Sequence, residues 1–435
     1  MKGRLNIFQR TMLQWDSFYP YNAIGIMRIP VRLEEAALKD ALRQVLERQG
    51  IGSLEIDPRN RGYEYLSDVS GVDLTVVDGD GEPVERVRRE AELQLNTRFV
   101  RDGTRCNPFR FFACAGGDCF YLGIVYYHVI ADGYSMALTA REIVRQYLGQ
   151  GSAGPVSGRD LYPGTYSALI RGKGGLLPRH WLRLPLFMAG LRRASKPFGL
   201  YHTHDRSAGC SLLTMDPAAA RAVARMALTW GVTQHDIFQA IIYKVISPFV
   251  PSKKVRDRKK NMALGSVINI GRDLGVRQQR TFGVFLSSFA VLHSCPGQLS
   301  LEALSRDIHA QSSLIRKDRR YLMTLFEQWV ALKWMPFLPR EQQMKFYPKN
   351  YPLWAGVTHM NFRTLFDDLA CGSEVGLAAL VSTGPNCPVI FAITRIRDTV
   401  NIGITYRREV FSQGDIEEMT ENFLRHTREM MQGEE

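Results

Sequence analysis

The sequence predicts an α+β fold made of two halves, and three observations support that prediction. An apolar run over residues 120–126, rich in aromatic and branched side chains, indicates a buried strand that ends close to His128. Helical spacing of apolar residues follows over 134–148. From residue 211 a strand is again followed by helices, without the strict alternation of a parallel sheet. We therefore expect strands and helices to form layers in each half.

The first half is predicted to open with a strand pair over residues 6–32. A helix is predicted over 33–49, because apolar residues recur three and four positions apart and Gly50 stands where a helix ends. The other elements expected here are strands at 62–66 and 74–78, a helix from 83 to about 96, and a hairpin formed by 108–114 and 120–126.

The second half is predicted to begin with a strand at 211–215, after which Asp216 and Pro217 start a helix. His235 and Asp236 begin the next helix and are interpreted as a cap. The other elements expected here are strands at 262–270, 283–292, 357–362, 389–394 and 399–406, and helices at 233–245, 300–315 and 412–431.

The composition is that of an ordinary globular protein, since 45% of the 435 residues are hydrophobic and 23% are charged. No N-terminal apolar core indicates a signal peptide. No run reaches the roughly 18 apolar residues of a membrane span, so a cytoplasmic protein is expected. The seven cysteines form no CxxC pair. This favours reduced thiols over a disulfide framework, and no metal site is predicted.

The net charge of +13 comes partly from basic clusters at 161–204, 253–260 and 316–320. Such clusters can attract phosphate, an acidic protein or an anionic membrane, or can be solvated surface. Segment 180–188 is amphipathic and either lies on a membrane or packs against its own protein. We divide the chain into an N-terminal half, 1–160, a basic connector, 161–208, and a C-terminal half, 209–435.

The stretch His128-x-x-x-Asp132-Gly133 carries the chemistry that the sequence indicates. A histidine is largely neutral at physiological pH and can accept the proton of an attacking hydroxyl, amine or thiol. Gly133 permits a tight backbone. Asp132 could pair with His128, or could hold the turn by pairing with a cation elsewhere.

These residues resemble the active-site motif of the CoA-dependent acyltransferase superfamily. That superfamily includes chloramphenicol acetyltransferase-like enzymes, condensation domains of nonribosomal peptide synthetases, alcohol acyltransferases and wax ester synthases. The similarity continues in order along nearly the whole chain. It is carried by the segments 266–272, 281–285, 358–362 and 401–406, with Phe411 and Ser412 before the last helix.

The resemblance implies two chloramphenicol acetyltransferase-like halves in a V with a central channel. It implies that His128 is the general base and that Asp132 pairs with an arginine, for which Arg272 is the matching residue. Ser135, Asn361 and Gly283 are the candidates for substrate or oxyanion contacts. Many relatives carry a histidine where Tyr127 stands, which favours a free-standing acyltransferase over a peptide-synthetase condensation domain.

The function expected from the resemblance is acyl transfer from acyl-CoA, or from the phosphopantetheine of an acyl carrier protein, to an alcohol or amine. These thioesters are co-substrates, and no permanently bound cofactor is expected. One alternative is an inactive binding or scaffold protein. Another is a lipid or wax-ester type acyltransferase at a membrane surface. A nucleic-acid binder is disfavoured, because the basic clusters lack interleaved aromatic residues.

Overall fold

The α+β fold class is confirmed by a computed structural model of the chain. Helices are labelled α1 to α10 and strands β1 to β17, in chain order. The structure describes residues 2–57, 61–66, 71–99, 104–151, 160–161, 191, 194–197, 207–250, 261–277, 279–294, 296–371 and 374–432. The amphipathic segment 180–188, the basic cluster 253–260 and most of the predicted connector lie outside these residues. The predicted division into halves stays a prediction.

The elements up to residue 161 include the apolar hairpin of residues 109–127, which precedes His128. Their bounds are β1 Lys2–Arg4, α1 Ile7–Phe18, β2 Asn22–Ile29, α2 Glu35–Gln49, β3 Ser53–Asp57, β4 Gly62–Leu66, β5 Leu74–Val76, α3 Pro83–Asn96, β6 Arg105–Cys106, β7 Phe109–Ala115, β8 Phe120–Tyr127, α4 Gly133–Tyr147 and β9 Asp160–Leu161.

The elements from residue 208 onward form a second set of strands and helices. Their bounds are β10 Ala208–Thr214, α5 Pro217–Thr229, α6 Gln234–Ile246, β11 Met262–Asn269, β12 Thr281–Phe282, β13 Leu286–His293, α7 Leu301–Lys317, α8 Leu322–Trp334, α9 Arg340–Asn350, β14 Ala355–Asn361, β15 Gly376–Val381, β16 Val389–Ile396, β17 Thr399–Arg407 and α10 Gln413–Gln432.

The prediction of a strand pair over residues 6–32 is wrong for its first part, because residues 7–18 form helix α1. Asn6 starts the helix with a capping box, in which its side chain accepts from the Gln9 amide and Gln9 binds back to the Asn6 amide. Phe8, Met12 and Trp15, spaced three and four apart, are buried on one face. Only the second part, β2, is a strand.

Two larger sheets organise the fold. A six-stranded sheet has the order β10-β17-β16-β14-β11-β13, and a five-stranded sheet has the order β15-β2-β8-β7-β5. Strand β15, from the second half of the chain, pairs antiparallel with β2, so that Val381 lies opposite Ala23. The two halves of the chain are therefore joined by main-chain hydrogen bonds within one sheet.

Strand β8 lies inside the five-stranded sheet, between β2 and β7. Its residues are almost all buried, and Tyr127 at its end lies opposite Asn22 of β2. A strand paired on both sides and buried on both faces has little freedom. It therefore fixes the position of the histidine that follows it.

Candidate active site

His128 lies directly after β8 and is 6% exposed. Its main-chain amide donates to the Tyr21 carbonyl at 3.3 Å. Its Nδ1 lies 3.1 Å from the Ala131 carbonyl oxygen. Because a carbonyl only accepts, Nδ1 carries the proton, and the lone pair of the neutral ring is on Nε2. This is the tautomer that a general base acting through Nε2 requires.

Two tyrosines surround the imidazole. The Tyr21 ring stacks on it, with ring centroids 5.5 Å apart and an interplanar angle of 11°. The Tyr126 ring meets it edge-on at 5.8 Å. Burial lowers the pKa of His128 to about 4. The ring is therefore neutral at physiological pH. No sequence signal pointed to Tyr21.

Asp132 caps the N-terminus of α4 and is 1% exposed. One carboxylate oxygen accepts from the Ser135 amide at 2.9 Å. The other accepts from the Phe285 amide at 3.2 Å and from the Asn269 side-chain amide at 3.3 Å. Burial raises the pKa of Asp132 although these hydrogen bonds oppose the rise. The carboxylate thus binds its own turn and two segments of the second half.

The predicted pairing of Asp132 with Arg272 is not the arrangement in the structure. Arg272 is exposed, and within the described ranges no ion pair joins it to Asp132. Asn269, three residues earlier at the end of β11, supplies the donor instead. Nor does Asp132 pair with His128, whose Nδ1 faces the Ala131 carbonyl. A neutral amide therefore stands where a cation was expected.

Gly133 provides space for a side chain of the second half. A Cβ atom built on Gly133 would lie 2.4 Å from the sulfur of Met360, well inside van der Waals contact. Its φ is not in the left-handed region. The glycine therefore leaves room for the Met360 side chain in its present position, and its backbone is not in the strained region that the sequence suggested.

Ser135 and Gly283 bind each other at the junction of the two halves. The Ser135 hydroxyl donates to the Gly283 carbonyl at 3.0 Å, and the Asp132 amide donates to the same oxygen at 3.0 Å. The φ of 154° at Gly283 is one that residues with a side chain rarely adopt. These contacts position the turn, and a contact of either residue with an oxyanion stays a prediction.

A cavity of about 290 Å³ opens beside His128, and its walls come from both halves of the chain. Asn361, at the end of β14, lines this cavity. Its side-chain oxygen accepts from the Arg363 amide at 3.1 Å, so the oxygen is held and the amide nitrogen remains as a donor. Of the three predicted contact residues, Asn361 is the one on the cavity wall.

His359 of β14 also lines this cavity and was missed in the sequence. Its ring stacks with that of His235, with centroids 6.1 Å apart, and burial lowers the pKa values of both, to about 3 and about 4. His235 lies in the first turn of α6, as the sequence predicted. The capping box there is formed by Thr233 and Asp236, so the predicted cap is confirmed for Asp236 and wrong for His235. His235 itself contacts the Ser266 hydroxyl at 3.1 Å.

A second, larger cavity of about 640 Å³ adjoins the first. The two cavities share part of their walls: Phe8, Tyr21, Val267, Gly356 and Ile390. The helices missed in the sequence, α8 and α9, form part of the larger cavity. Helix α8 is apolar on nearly all sides, so it shows no amphipathic stripe by which it could have been found.

Within the part of the chain that the structure describes, no helix has the length and apolar character needed to cross a membrane. Likewise, no group of three or more metal-ligating side chains occurs among those residues.

No protein-family model matches the chain. Among curated proteins, a probable non-canonical nonribosomal peptide synthetase, CymA of Salinispora arenicola, is 30% identical over 130 residues. That segment is 29% of this chain and 2% of the relative's length.

Solved structures match over the whole chain. The first condensation domain of the calcium-dependent antibiotic synthetase, in complex with a substrate analogue, has a TM-score of 0.71 at 14% identity. The match covers 99% of this chain and 97% of that one. The EpoB cyclization-docking bidomain of Sorangium cellulosum gives 0.68 at 13%, covering 99% and 85%. SgcC5 of Streptomyces globisporus gives 0.63 at 14%, covering 98% of each chain. The chain therefore has the condensation-domain, chloramphenicol acetyltransferase-like fold.

Proposed function

We propose that the protein is a free-standing acyltransferase that moves an acyl group from a thioester to an alcohol or amine, with His128 as the general base. The observation that carries the proposal is the geometry of His128. Its Nδ1 is tied to the Ala131 carbonyl, and its ring lines a cavity formed by both halves. Nε2 has no hydrogen-bond partner among the described residues, so it is free to accept a proton from a bound nucleophile.

The reaction follows from these positions. The nucleophile's O–H or N–H proton passes to Nε2 as its oxygen or nitrogen attacks the thioester carbonyl. The new bond forms as the carbonyl π electrons move to oxygen. When the tetrahedral intermediate collapses, the C–S bond breaks, and the proton on Nε2 passes to the departing thiolate. His128 thus ends the cycle neutral, and the products are the ester or amide and the free thiol.

The low pKa of His128 does not prevent this step. Burial penalises the imidazolium only while no compensating charge is present. The oxyanion that develops beside the ring during attack is such a charge, and it favours the imidazolium in the transition state. The side-chain amide of Asn361, on the same cavity wall, is our candidate donor to this oxyanion.

The donor is an acyl-CoA or an acyl carrier protein, and both carry phosphate. Among the described basic clusters, 316–320 is the candidate for contact with it. Two of its arginines are already neutralised, because Arg320 pairs with Asp318 at 2.6 Å and Arg319 lies 3.6 Å from Asp273. Arg316 and Lys317 remain as the cluster's candidates for phosphate.

The test is release of free thiol from a panel of acyl-CoAs and acyl carrier proteins, with and without alcohol and amine acceptors. We expect acceptor-dependent release by the parent protein and none above background by His128→Ala. His426→Ala changes a histidine of α10 that does not line the cavity and serves as the matched control. Equal release by the parent and His128→Ala would reject the base. Binding without turnover would support a scaffold protein.

An apolar acceptor is the second candidate within the same reaction class. The cavity that adjoins the His128 site is lined mainly by apolar and aromatic side chains, which favour a lipid-like or aromatic substrate. In the same assay, long-chain and short-chain alcohols should differ in KM. Equal KM values across chain lengths would count against this candidate.

A further inference from the structure

The larger cavity contains a buried carboxyl group that the acyl-transfer mechanism does not use. Glu327 of α8 lines this cavity, is 9% exposed, and does not line the cavity that holds His128. The Tyr351 side chain is hydrogen-bonded to it. Among the described residues no cation lies within salt-bridge distance of Glu327. Glu327 is therefore a buried acid without a counter-ion.

The other charged residue on the wall of this cavity does not neutralise Glu327. Arg320 lines the cavity, but its guanidinium pairs with Asp318 through two hydrogen bonds, at 2.6 and 3.0 Å. The rest of α8 carries no other acidic residue. Its other residues on the cavity wall are uncharged: Met323 and Ala331 are apolar, and Thr324 and Gln328 are polar. The negative charge of Glu327 thus lies in a mainly apolar cavity without a neutralising cation among the described residues.

An isolated buried carboxyl is unfavourable for folding. Burial raises the pKa of Glu327 to about 7, which measures how poorly the site solvates a carboxylate. An apolar residue of similar size would cost less at this position. Buried ionisable groups without a structural partner concentrate at binding and catalytic sites, where the ligand supplies the missing charge.

We propose that the larger cavity binds an apolar molecule that carries a basic amino group, and that this ammonium group pairs with Glu327. Apolar side chains would enclose the body of the ligand, in a volume of about 640 Å³ that suits a drug-sized molecule. The amine held by Glu327 is a recognition group and not the nucleophile, because Glu327 and His128 line different cavities. Tyr21 and its neighbours belong to the walls of both cavities, so a ligand bound at Glu327 lies in the cavity next to the His128 site.

That this ligand is a substrate rests on the proposed function, whereas its binding does not. The test therefore measures binding without turnover. Octylamine and octan-1-ol are titrated by calorimetry at pH 8, where the amine is protonated. The proteins compared are the parent, Glu327→Gln and His128→Ala. Two variants that fill the cavity, Ala331→Phe and Ser288→Phe, are included, and circular dichroism checks that each is folded.

We expect the parent to bind octylamine about tenfold or more tightly than octan-1-ol, as a charge-assisted hydrogen bond implies. Glu327→Gln should lose that preference and retain its affinity for the alcohol. At least one folded cavity-filling variant should bind both octylamine and octan-1-ol more weakly than the parent does. His128→Ala should bind both ligands with the affinity of the parent. Binding at Glu327 can therefore be confirmed or rejected whether or not the acyl-transfer assay supports His128 as the base. Equal affinities in the parent, an unchanged preference in Glu327→Gln, or unaffected binding in the filled variants would overturn the proposal.

Discussion

The side-chain amide of Asn269 donates to the carboxylate of Asp132 at 3.3 Å and connects the C-terminal end of β11 to the turn that holds His128. The same Asn269 accepts from the Gly271 amide at 2.8 Å. The amide nitrogen of Asn269 thus binds Asp132 of the first half, and its side-chain oxygen binds Gly271 of the second half. Arg272, which the sequence suggested for this role, is exposed nearby.

Asn269→Ala should lower the free energy of unfolding by about 1–3 kcal/mol, because Asp132 loses a buried donor. Arg272→Ala, the matched control, should change it by less than about 0.5 kcal/mol, as expected for an exposed residue. Urea denaturation at pH 7 measures both. A larger loss in Arg272→Ala than in Asn269→Ala would show that the arginine is the true partner of Asp132.

Gly133→Ala should destabilise the protein by about 1 kcal/mol, because the new methyl group would overlap the Met360 sulfur and the flexible Met360 side chain would have to shift. Adding Met360→Ala should recover part of the loss, and thermal denaturation of the single and double variants measures this coupling. Gly376→Ala is the control, since its Cβ would lie 3.5 Å from the nearest atom, an ordinary contact. Additive losses in the double variant would mean that Met360 does not cause the strain.

The fall of kcat/KM at low pH in the acyl-transfer reaction should follow the protonation of His128. Only the neutral ring accepts a proton, so with an alcohol acceptor, which does not titrate in this range, kcat/KM should stay constant down to about pH 5 and fall as the ring protonates near pH 4. A rate that already falls near pH 6.5 would indicate an imidazole with an ordinary pKa.

Stability should also depend on this histidine. In the unfolded chain its pKa is about 6.5, so the unfolded state binds more protons below that pH, and stability falls as pH falls from 6.5 towards 4. Between pH 7.5 and 5.5 the contribution of His128 is about 1.4 kcal/mol. His128→Gln should show a correspondingly smaller pH dependence in urea denaturation. An identical pH dependence in the variant and the parent would contradict the lowered pKa.

Tyr127→Phe should lower the free energy of unfolding by about 1–2 kcal/mol and leave acyl transfer intact. The Tyr127 hydroxyl donates to the buried Asp16 carboxylate at 3.1 Å, so removing it leaves a carboxylate oxygen short of a donor. Tyr147→Phe is the control, since the hydroxyl of Tyr147 makes its bonds at an exposed position. Loss of activity in a stable Tyr127→Phe would give this hydroxyl a role in catalysis.

Asn361→Ala and Ser135→Ala should have opposite effects. Loss of an oxyanion donor lowers kcat by about 10²–10³, and Asn361→Ala should do so without changing the melting temperature. Ser135→Ala removes the buried contact with Gly283, so it should lower the melting temperature more than kcat. The reverse pattern would assign the oxyanion contact to Ser135.

Local patterns in the sequence predicted most elements where apolar spacing was regular. Helix α3 begins at Pro83 as expected, and α10 follows Ser412. The failures have physical reasons. Helix α1 has an apolar stripe, but its buried face also carries the polar residues Gln9, Thr11 and Asp16, which interrupt the pattern in the sequence. Helix α8 is apolar on nearly all sides and shows no stripe. Strand β15 contains Gly376 and two alanines, which have little preference for strands, and its pairing partner β2 lies far away in the sequence.

The sequence alone determined the strand, the turn with His128 and the helix after it, because these depend on neighbours within a few residues. The tertiary structure decided which groups meet that unit from elsewhere in the chain. The Asn269 donor lies 137 positions from Asp132, and Glu327 lacks a counter-ion because of how helices α1, α7, α8 and α9 and nearby strands enclose the larger cavity. Such contacts depend on the packing of whole elements, and neither periodicity nor residue spacing encodes it.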